Sequence, residues 1–352
     1  MESVEQIAAT VLYEGFLLYP YRRSAMKNQQ RWTFGGVYPR RFSEWSGGHD
    51  PWTMQTQCLI TGDEWTRLVV KIRFLQVVDR TVLQEIDGAR HPVEELRVGE
   101  EAYRPWEESV EREIETHLLL GELGDRSRSM PIDIPGGQEE EVLVGPDSVV
   151  AGALIRAWQP IREEVDIRGD KLSRQAEGSG PGLYRLTVRI SNRTEWEPAD
   201  GIDNSQARRS ALRRASISTH TLLQVEDGEF VSLLEPPEEY AAAAAECENL
   251  HTWPVLAGQS GDRHVMLSSP IILYDYPQVS IETPGDLFDA TEIDELLRFS
   301  IMTLTDEEKQ EMRESDPRSR EILERTEALR PDELLSLHAS VRALEIREPG
   351  ES

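Results

Sequence analysis

Cysteine is nearly absent from this chain, with only Cys58 and Cys247 in 352 residues. That excludes the dense disulfide framework of a small secreted scaffold. Long apolar runs are missing too, and none approaches the roughly 20 residues that a membrane helix requires. The segment Met1 to Thr10 carries Glu2 and Glu5 and no basic residue, so it does not read as a secretory signal. A cytoplasmic location with no membrane insertion is the expectation. Basic residues are scarce, 38 Lys and Arg against 65 Asp and Glu, for a formal net charge of −27. A surface of that sign repels polyanions, so nucleic acid is not an expected partner.

Complete catalytic signatures are missing as well. There is no G-x-S-x-G elbow, and Ser268–Ser269–Pro270 offers hydroxyls without an identifiable histidine base. The glycine pairs at 35–36, 47–48 and 136–137 are not a phosphate-binding loop. Phosphoryl and hydride transfer are disfavoured, no cofactor is expected, and the chain reads as a binding protein more than as an enzyme.

What is present is enough apolar material, 38% of residues, for one large folded unit or two ordinary domains. Period-two alternation marks the strands. Leu68, Val70, Ile72 and Phe74 form one face of a central strand, with Lys71 and Arg73 on the other. Ile161, Val165 and Ile167 alternate with charged residues, as do Tyr184, Leu186, Val188 and Ile190, and Ile217 to Val225 is a further strand. Gly178, Gly180, Pro181 and Gly182 mark a long hairpin loop between the two alternating runs. Gly201 to Ala215 reads as a loop with a short helix, its four arginines either solvated or forming a patch for an anion or partner. Alanine-rich Glu238 to Leu250 reads as a helix, and Thr252 to Pro277 as extended chain. From Asp289 on, the apolar stripes of Ile293, Leu296 and Leu297 and of Leu334, Leu337 and Val341 predict helices, with a capping box at Thr305 and Glu308.

The fold class is therefore α+β: an antiparallel β-rich body, sandwich-like or a strongly twisted sheet, with a helical C-terminal segment. The expected division is a β-rich domain over 1–235, a mixed helix and strand segment packed on it over 236–288, and the C-terminal helical segment over 289–352.

Charge is unevenly spread. Arg22, Arg23, Lys27, Arg31, Arg40 and Arg41 lie in a stretch with no acidic residue, whereas Glu94 to Glu115 holds nine carboxylates against three arginines. The basic stretch is expected to dock on the acidic one, or on an acidic partner. The aromatic residues around it make it either the first hairpin of the sheet or a recognition surface, with Tyr19, Tyr21, Arg22, Arg23, Arg31 and Trp32 as anchors.

Cys247 and His251, four residues apart on an expected helix, together with His264, are a ligand set suited to zinc or nickel. Packing and capping are the ordinary alternative for these side chains. A carboxylate cluster running from Asp275 through Asp286 to Glu295 is suited to cation or acid–base work, or to complementing a helix dipole.

Two stretches carry a resemblance: VLYEGFLLYPYRRSAMKNQQRWTFGGVYP, over 11–39, and the region 254–325, which includes WPVLAG, GDRHVMLSSPIILYDYPQV, GDLFDATEIDELL and TLTDEEKQEMRESDPRSREIL. Together they resemble a bacterial protein family encoded beside [NiFe]-hydrogenase structural and maturation genes of the actinobacterial type. The resemblance implies a part in hydrogenase biogenesis, with a hydrogenase subunit or maturation factor as partner, and it carries over no catalytic residue. The chain lacks both the P-loop of a nickel-inserting GTPase and the paired cysteines of a nickel-binding zinc protein. A non-catalytic accessory or assembly factor is thus the leading expectation. A metal enzyme or metal carrier and a structural subunit of a mature complex are the alternatives.

Overall fold

A computed structural model describes residues 34–99, 101–124, 127–146, 148–172 and 181–277. The expected C-terminal helices, the capping box and the anchors Tyr19 to Trp32 lie outside these residues. The described part is an antiparallel β structure built on two sheets. Among the described residues, no helix is long and apolar enough to cross a membrane.

The five-stranded sheet is built from β1 (Thr53–Gly62), β7 (Arg128–Ile134), β10 (Ile161–Lys171), β11 (Gly182–Asn192) and β13 (Glu229–Val231), in the order β13-β1-β11-β10-β7. The eight-stranded sheet is organised around β2 (Arg67–Ile86), a 20-residue strand. Its main path also holds β8 (Gly137–Val144), β9 (Val150–Trp158), β12 (Ile217–Glu226), β14 (Trp253–Leu256) and β15 (Val265–Ser269), ordered β14-β15-β12-β2-β9-β8. β3 (Ala89–Pro92) and β6 (Trp106–Leu119) pair with β2 off that path. A separate hairpin joins β4 (Leu96–Val98) to β5 (Glu101–Tyr103).

The alternation read from the sequence explains the core. Leu68, Val70, Ile72 and Phe74 of β2 face Val165 and Ile167 of β10 and Leu186, Val188 and Ile190 of β11 in one buried cluster, so the two sheets pack as a sandwich. Two-sided burial along the middle of β2 is what the additional apolar residues Val69, Leu75 and Val77 foretell. β2 also runs past the sandwich. Its last residues pair with β9 and β3 to form an arm with its own small core of Val82, Leu96, Leu143 and Leu154.

One ribbon connects the sheets. Ile134 pairs with Ile161 in the five-stranded sheet and Gly137 with Trp158 in the eight-stranded one, so the same two strands turn the corner at 135–136 and 159–160. The Trp158 indole N–H donates to the Pro135 carbonyl at 3.1 Å. A side chain at Gly137 would meet the Trp158 ring at 2.7 Å, so the corner requires glycine there.

The extended chain expected over Thr252 to Pro277 is present, with β14 and β15 as strands of the larger sheet. Two expectations change. The helix read over 238–250 is shorter, a 3-10 turn over Glu238–Tyr240 followed by α3 (Ala241–Ala245). β1 takes the following residues: Gln57 N–H donates to Asn249 Oδ1 at 2.7 Å, and Leu250 bridges to Gln55. The acidic stretch is largely met by β2 across the ladder and not by the basic residues at 40–41. Lys71 reaches Glu113 and Glu115 at 3.2 Å each, and Arg80 reaches Glu108 at 2.7 Å. Arg40 and Arg41 pair instead with Glu44 and Glu197.

Candidate partner interface

One end of the sandwich is closed by polar side chains in place of apolar ones. On β10, Glu163 shares the inward parity of Ile161, Val165 and Ile167, and on β11 Asn192 continues the parity of Val188 and Ile190. Both are buried. Asn192 Nδ2 donates to the carbonyls of Val37 at 2.8 Å and Arg214 at 2.9 Å, and its Oδ1 accepts from Thr194 N–H at 2.8 Å. Burial pushes the Glu163 carboxyl up to about 7, while hydrogen bonds from the Ser216 side chain and backbone act in the opposite direction. Among the described residues, Glu163 Oε2 has no hydrogen-bond partner.

Opposite Glu163, β12 bulges between Ile217 and His220. Ser218 sits in the left-handed region at φ 51°, a conformation that a non-glycine residue holds only when its surroundings fix it. His220 supplies much of that fixation. It is fully buried, and burial lowers its imidazole to about 4, so the ring is neutral. A neutral ring accounts for both contacts: Nδ1–H donates to the Ser218 carbonyl at 2.6 Å, and Nε2 accepts from the Ser269 hydroxyl at 3.2 Å. The Ser269 oxygen in turn accepts from Ile271 N–H at 3.1 Å. Ser269 therefore does have a histidine beside it, contrary to the sequence reading, and the hydroxyl-to-imidazole bond has the form of a nucleophile and its base. Both side chains are 0% exposed, so the geometry as it stands braces the bulge.

The bulge holds the entering chain. Val37 forms an antiparallel bridge with Ser216, and the carbonyls of Phe34 and Gly35 accept from Ser218 and Thr219 N–H at 3.0 Å each. Gly35 has φ +56°, and a Cβ there would lie 2.5 Å from Pro270. From this fixed point the chain passes through Pro39, which starts the six-residue helix α1 (Arg40–Trp45).

α1 lays down an aromatic layer. Phe42 is buried, its ring 5.5 Å from that of Tyr38 and 5.2 Å, edge-on, from that of Trp196, and Trp45 stands 5.7 Å from Trp196. Beneath it runs α2 (Asn204–Leu212), started by Asp203, whose carboxylate accepts from Gln206 N–H at 2.8 Å. Ala207, Ala211 and Leu212 of α2 pack against Leu75, Val77 and Ile217. The arginines of this region are paired, which corrects the reading of a solvated turn. Arg208 forks onto Asp50 at 3.1 Å through both nitrogens, and Arg213 onto Asp79 at 2.6 and 2.7 Å.

What reaches solvent at this end is aromatic side chains and arginine–carboxylate pairs. Trp45 is 41% exposed and Phe34 47%. The Arg40 guanidinium lies 4.8 Å and that of Arg193 5.6 Å from the Trp52 ring centroid. Arg41 pairs with Glu197 in an ion pair open to water. Phe34, Arg40 and Arg41 belong to the aromatic-basic stretch singled out in the sequence, whereas Trp52, Arg193 and Trp196 come from elsewhere and carried no local signal. Glu163 did carry one, as the charged residue on the apolar parity of β10.

The proposed metal ligands do not form a site. Among the described residues, no three His, Cys, Asp or Glu side chains converge to hold a metal ion. Cys247 packs beneath α3, with its thiol held above the ordinary value by burial and directed at the Ala243 carbonyl. His251 is exposed at φ 61°, and His264 pairs with Asp262 at 2.8 Å. The spacing of Cys247 and His251 fails because α3 ends at Ala245, before either residue. Asp275 has a structural use, accepting from Ser232 Oγ at 2.5 Å and Leu256 N–H at 2.8 Å. Asp286 and Glu295 lie outside the described residues.

No protein-family model matches the chain, and no curated protein does. Among solved structures, the secretin InvG of the Salmonella SPI-1 type III secretion injectisome (residues 176 to the end, open gate state) aligns at a TM-score of 0.14 and 10% identity. The alignment covers 65% of this chain and 60% of that one, and likeness at that level carries no argument about fold or function.

Proposed function

We propose that this protein is a non-catalytic assembly factor that binds another protein through the aromatic–arginine end of the sandwich, and that its partner is a [NiFe]-hydrogenase subunit or maturation factor. The observation that carries the binding role is the exposure of Trp45, Phe34, Arg40 and Arg41 above the packed aromatic layer of Tyr38, Phe42 and Trp196. Trp, Tyr and Arg on a preorganised surface are the residue types that dominate binding energy at protein interfaces. The identity of the partner rests on the two stretches that resemble the hydrogenase-cluster family.

The test is affinity capture of the tagged full-length chain from a cell assembling a [NiFe]-hydrogenase, beside a Trp45→Ala/Arg41→Glu variant. Recovery of a hydrogenase subunit or maturation factor with the native chain, and its loss with the variant, supports the reading. Equal recovery with both removes this surface from the account. Failure to bind any hydrogenase component, with hydrogenase activity intact in a gene deletion, removes the partner.

A further inference from the structure

Val37 is held on both sides by the two residues that hold Glu163. Its N–H donates to the Ser216 carbonyl at 2.9 Å, and Ser216 gives its own hydroxyl and backbone N–H to the Glu163 carboxyl. The Val37 carbonyl accepts from Asn192 Nδ2 at 2.8 Å, and the same nitrogen lies 2.9 Å from the Arg214 carbonyl and 3.4 Å from Glu163 Oε1. Two hydrogens therefore serve three acceptors, and the strongest acceptor draws them from the others.

No cation balances the carboxyl among the described residues. On β10 itself, Arg162 turns to Asp133 of β7 at 3.5 Å and Glu164 to Arg193 at 3.1 Å. Before β12, Arg213 is forked onto Asp79, and Arg214 donates to the Ser210 carbonyl and Gln159 Oε1. On β12, neutral His220 is turned to Ser218 and Ser269, and on β2 Arg73 pairs with Glu111 and Glu113. Across the ladder β7 and β11 present Ile132 and Asn192. Residues 34–38 bring no charged side chain, and the Tyr38 hydroxyl faces Arg208.

We propose that Glu163 is a proton-controlled latch on Phe34–Tyr38, which holds this segment closed when protonated and lets it open when ionised. A neutral carboxyl tolerates its bare Oε2 at the cost of one hydrogen bond, whereas a carboxylate there is a buried anion without a counter-charge. Once ionised it is the strongest of the three acceptors, and it draws Asn192 Nδ2 away from Val37. Water then reaches Oε2 most cheaply by displacing the covering segment, which is held by a few hydrogen bonds, and not β7 or β11, which flank β10 along whole ladders. Phe34 belongs to this segment and α1 with Trp45 follows it, so acid firms the aromatic–arginine end and alkali loosens it. That consequence rests on the binding role proposed above; the latch itself does not.

Hydrogen exchange of the full-length protein and of Glu163→Gln, near pH 5 and near pH 8.5, tests the latch at the Val37, Ser218 and Thr219 amides, with Val188 at the centre of β11 as the reference for opening of the whole fold. Taking native over variant at each pH cancels the intrinsic pH dependence of exchange and the titration of His220. The three amides are expected to exchange faster than Val188, and their native-to-variant ratio to rise about 50-fold from the lower pH to the higher. A ratio that stays constant with pH overturns the proposal, because the segment then opens without Glu163. Exchange no faster than that of Val188 also overturns it, because the segment then opens only with the whole fold. No partner enters the experiment, so its failure and a failure to bind a hydrogenase component are separate results.

Discussion

Replacing Glu163 by glutamine separates two buried titrating groups whose effects on stability run in opposite directions. The Glu163 pKa rises from the ordinary 4.5 to about 7 on folding. A folded-state pKa above the unfolded one means that the stabilising contribution is complete below pH 4.5 and is lost as pH climbs through about 7. At about 1.4 kcal/mol per pH unit the full loss is about 3 kcal/mol. His220 moves the other way, from 6.5 to about 4, so its contribution is complete above pH 6.5 and is lost as pH falls through about 4. Between pH 4.5 and 6.5 the two slopes oppose each other, and the pair leaves a flat region. Glu163→Gln keeps an acceptor for Asn192 and removes the charge. The variant is expected to be more stable than the native protein by about 2–3 kcal/mol near pH 8.5, and within about 1 kcal/mol of it near pH 5. Urea unfolding followed by tryptophan fluorescence at both pH values reads the difference directly. An equal stability change at the two pH values would refute the argument, since it would mean that Glu163 does not titrate on folding.

Three further outcomes follow from the geometry. Phe42→Ala empties the centre of the aromatic layer and is expected to cost about 3–5 kcal/mol of unfolding free energy, and a urea midpoint unchanged from native contradicts the packing. Arg213→Ala removes the forked partner of Asp79 beside α2 and should cost about 2 kcal/mol by the same assay, recovered in part by Asp79→Asn in the double variant. Gly35→Ala forces a Cβ onto Pro270 at a left-handed residue, so its thermal midpoint should fall, whereas Gly88→Ala, also left-handed but with open space around it, tests the conformational strain alone.

Regular alternation was legible in the sequence because each strand buries one face: β10 and β11 follow from their own residues. The length of β2 was not, since its second half is held by β9 and β3, partners set by pairings remote in sequence. The same limit governs the polar end of the sandwich. His220 and Ser269 meet across 49 residues through the pairing of β12 with β15, which no local spacing encodes. Helix propensity misled at Glu238 to Leu250 because Gln55 and Gln57 of β1 claim the backbone and side chains that would have continued α3. The aromatic-basic character of the entering chain was visible, but its completion by Trp52, Arg193 and Trp196 needed the fold to bring them together.

The central claim is that the aromatic–arginine end binds a hydrogenase component, and titration of the purified native chain and its Trp45→Ala variant into purified hydrogenase subunits tests it most directly. The account predicts saturable binding by the native chain and a loss of at least 2 kcal/mol, about 30-fold in Kd, for a variant that stays folded while losing the Trp45 contacts to Phe42 and Trp196. Equal affinity for the two proteins, or no binding by either at micromolar concentration, contradicts it.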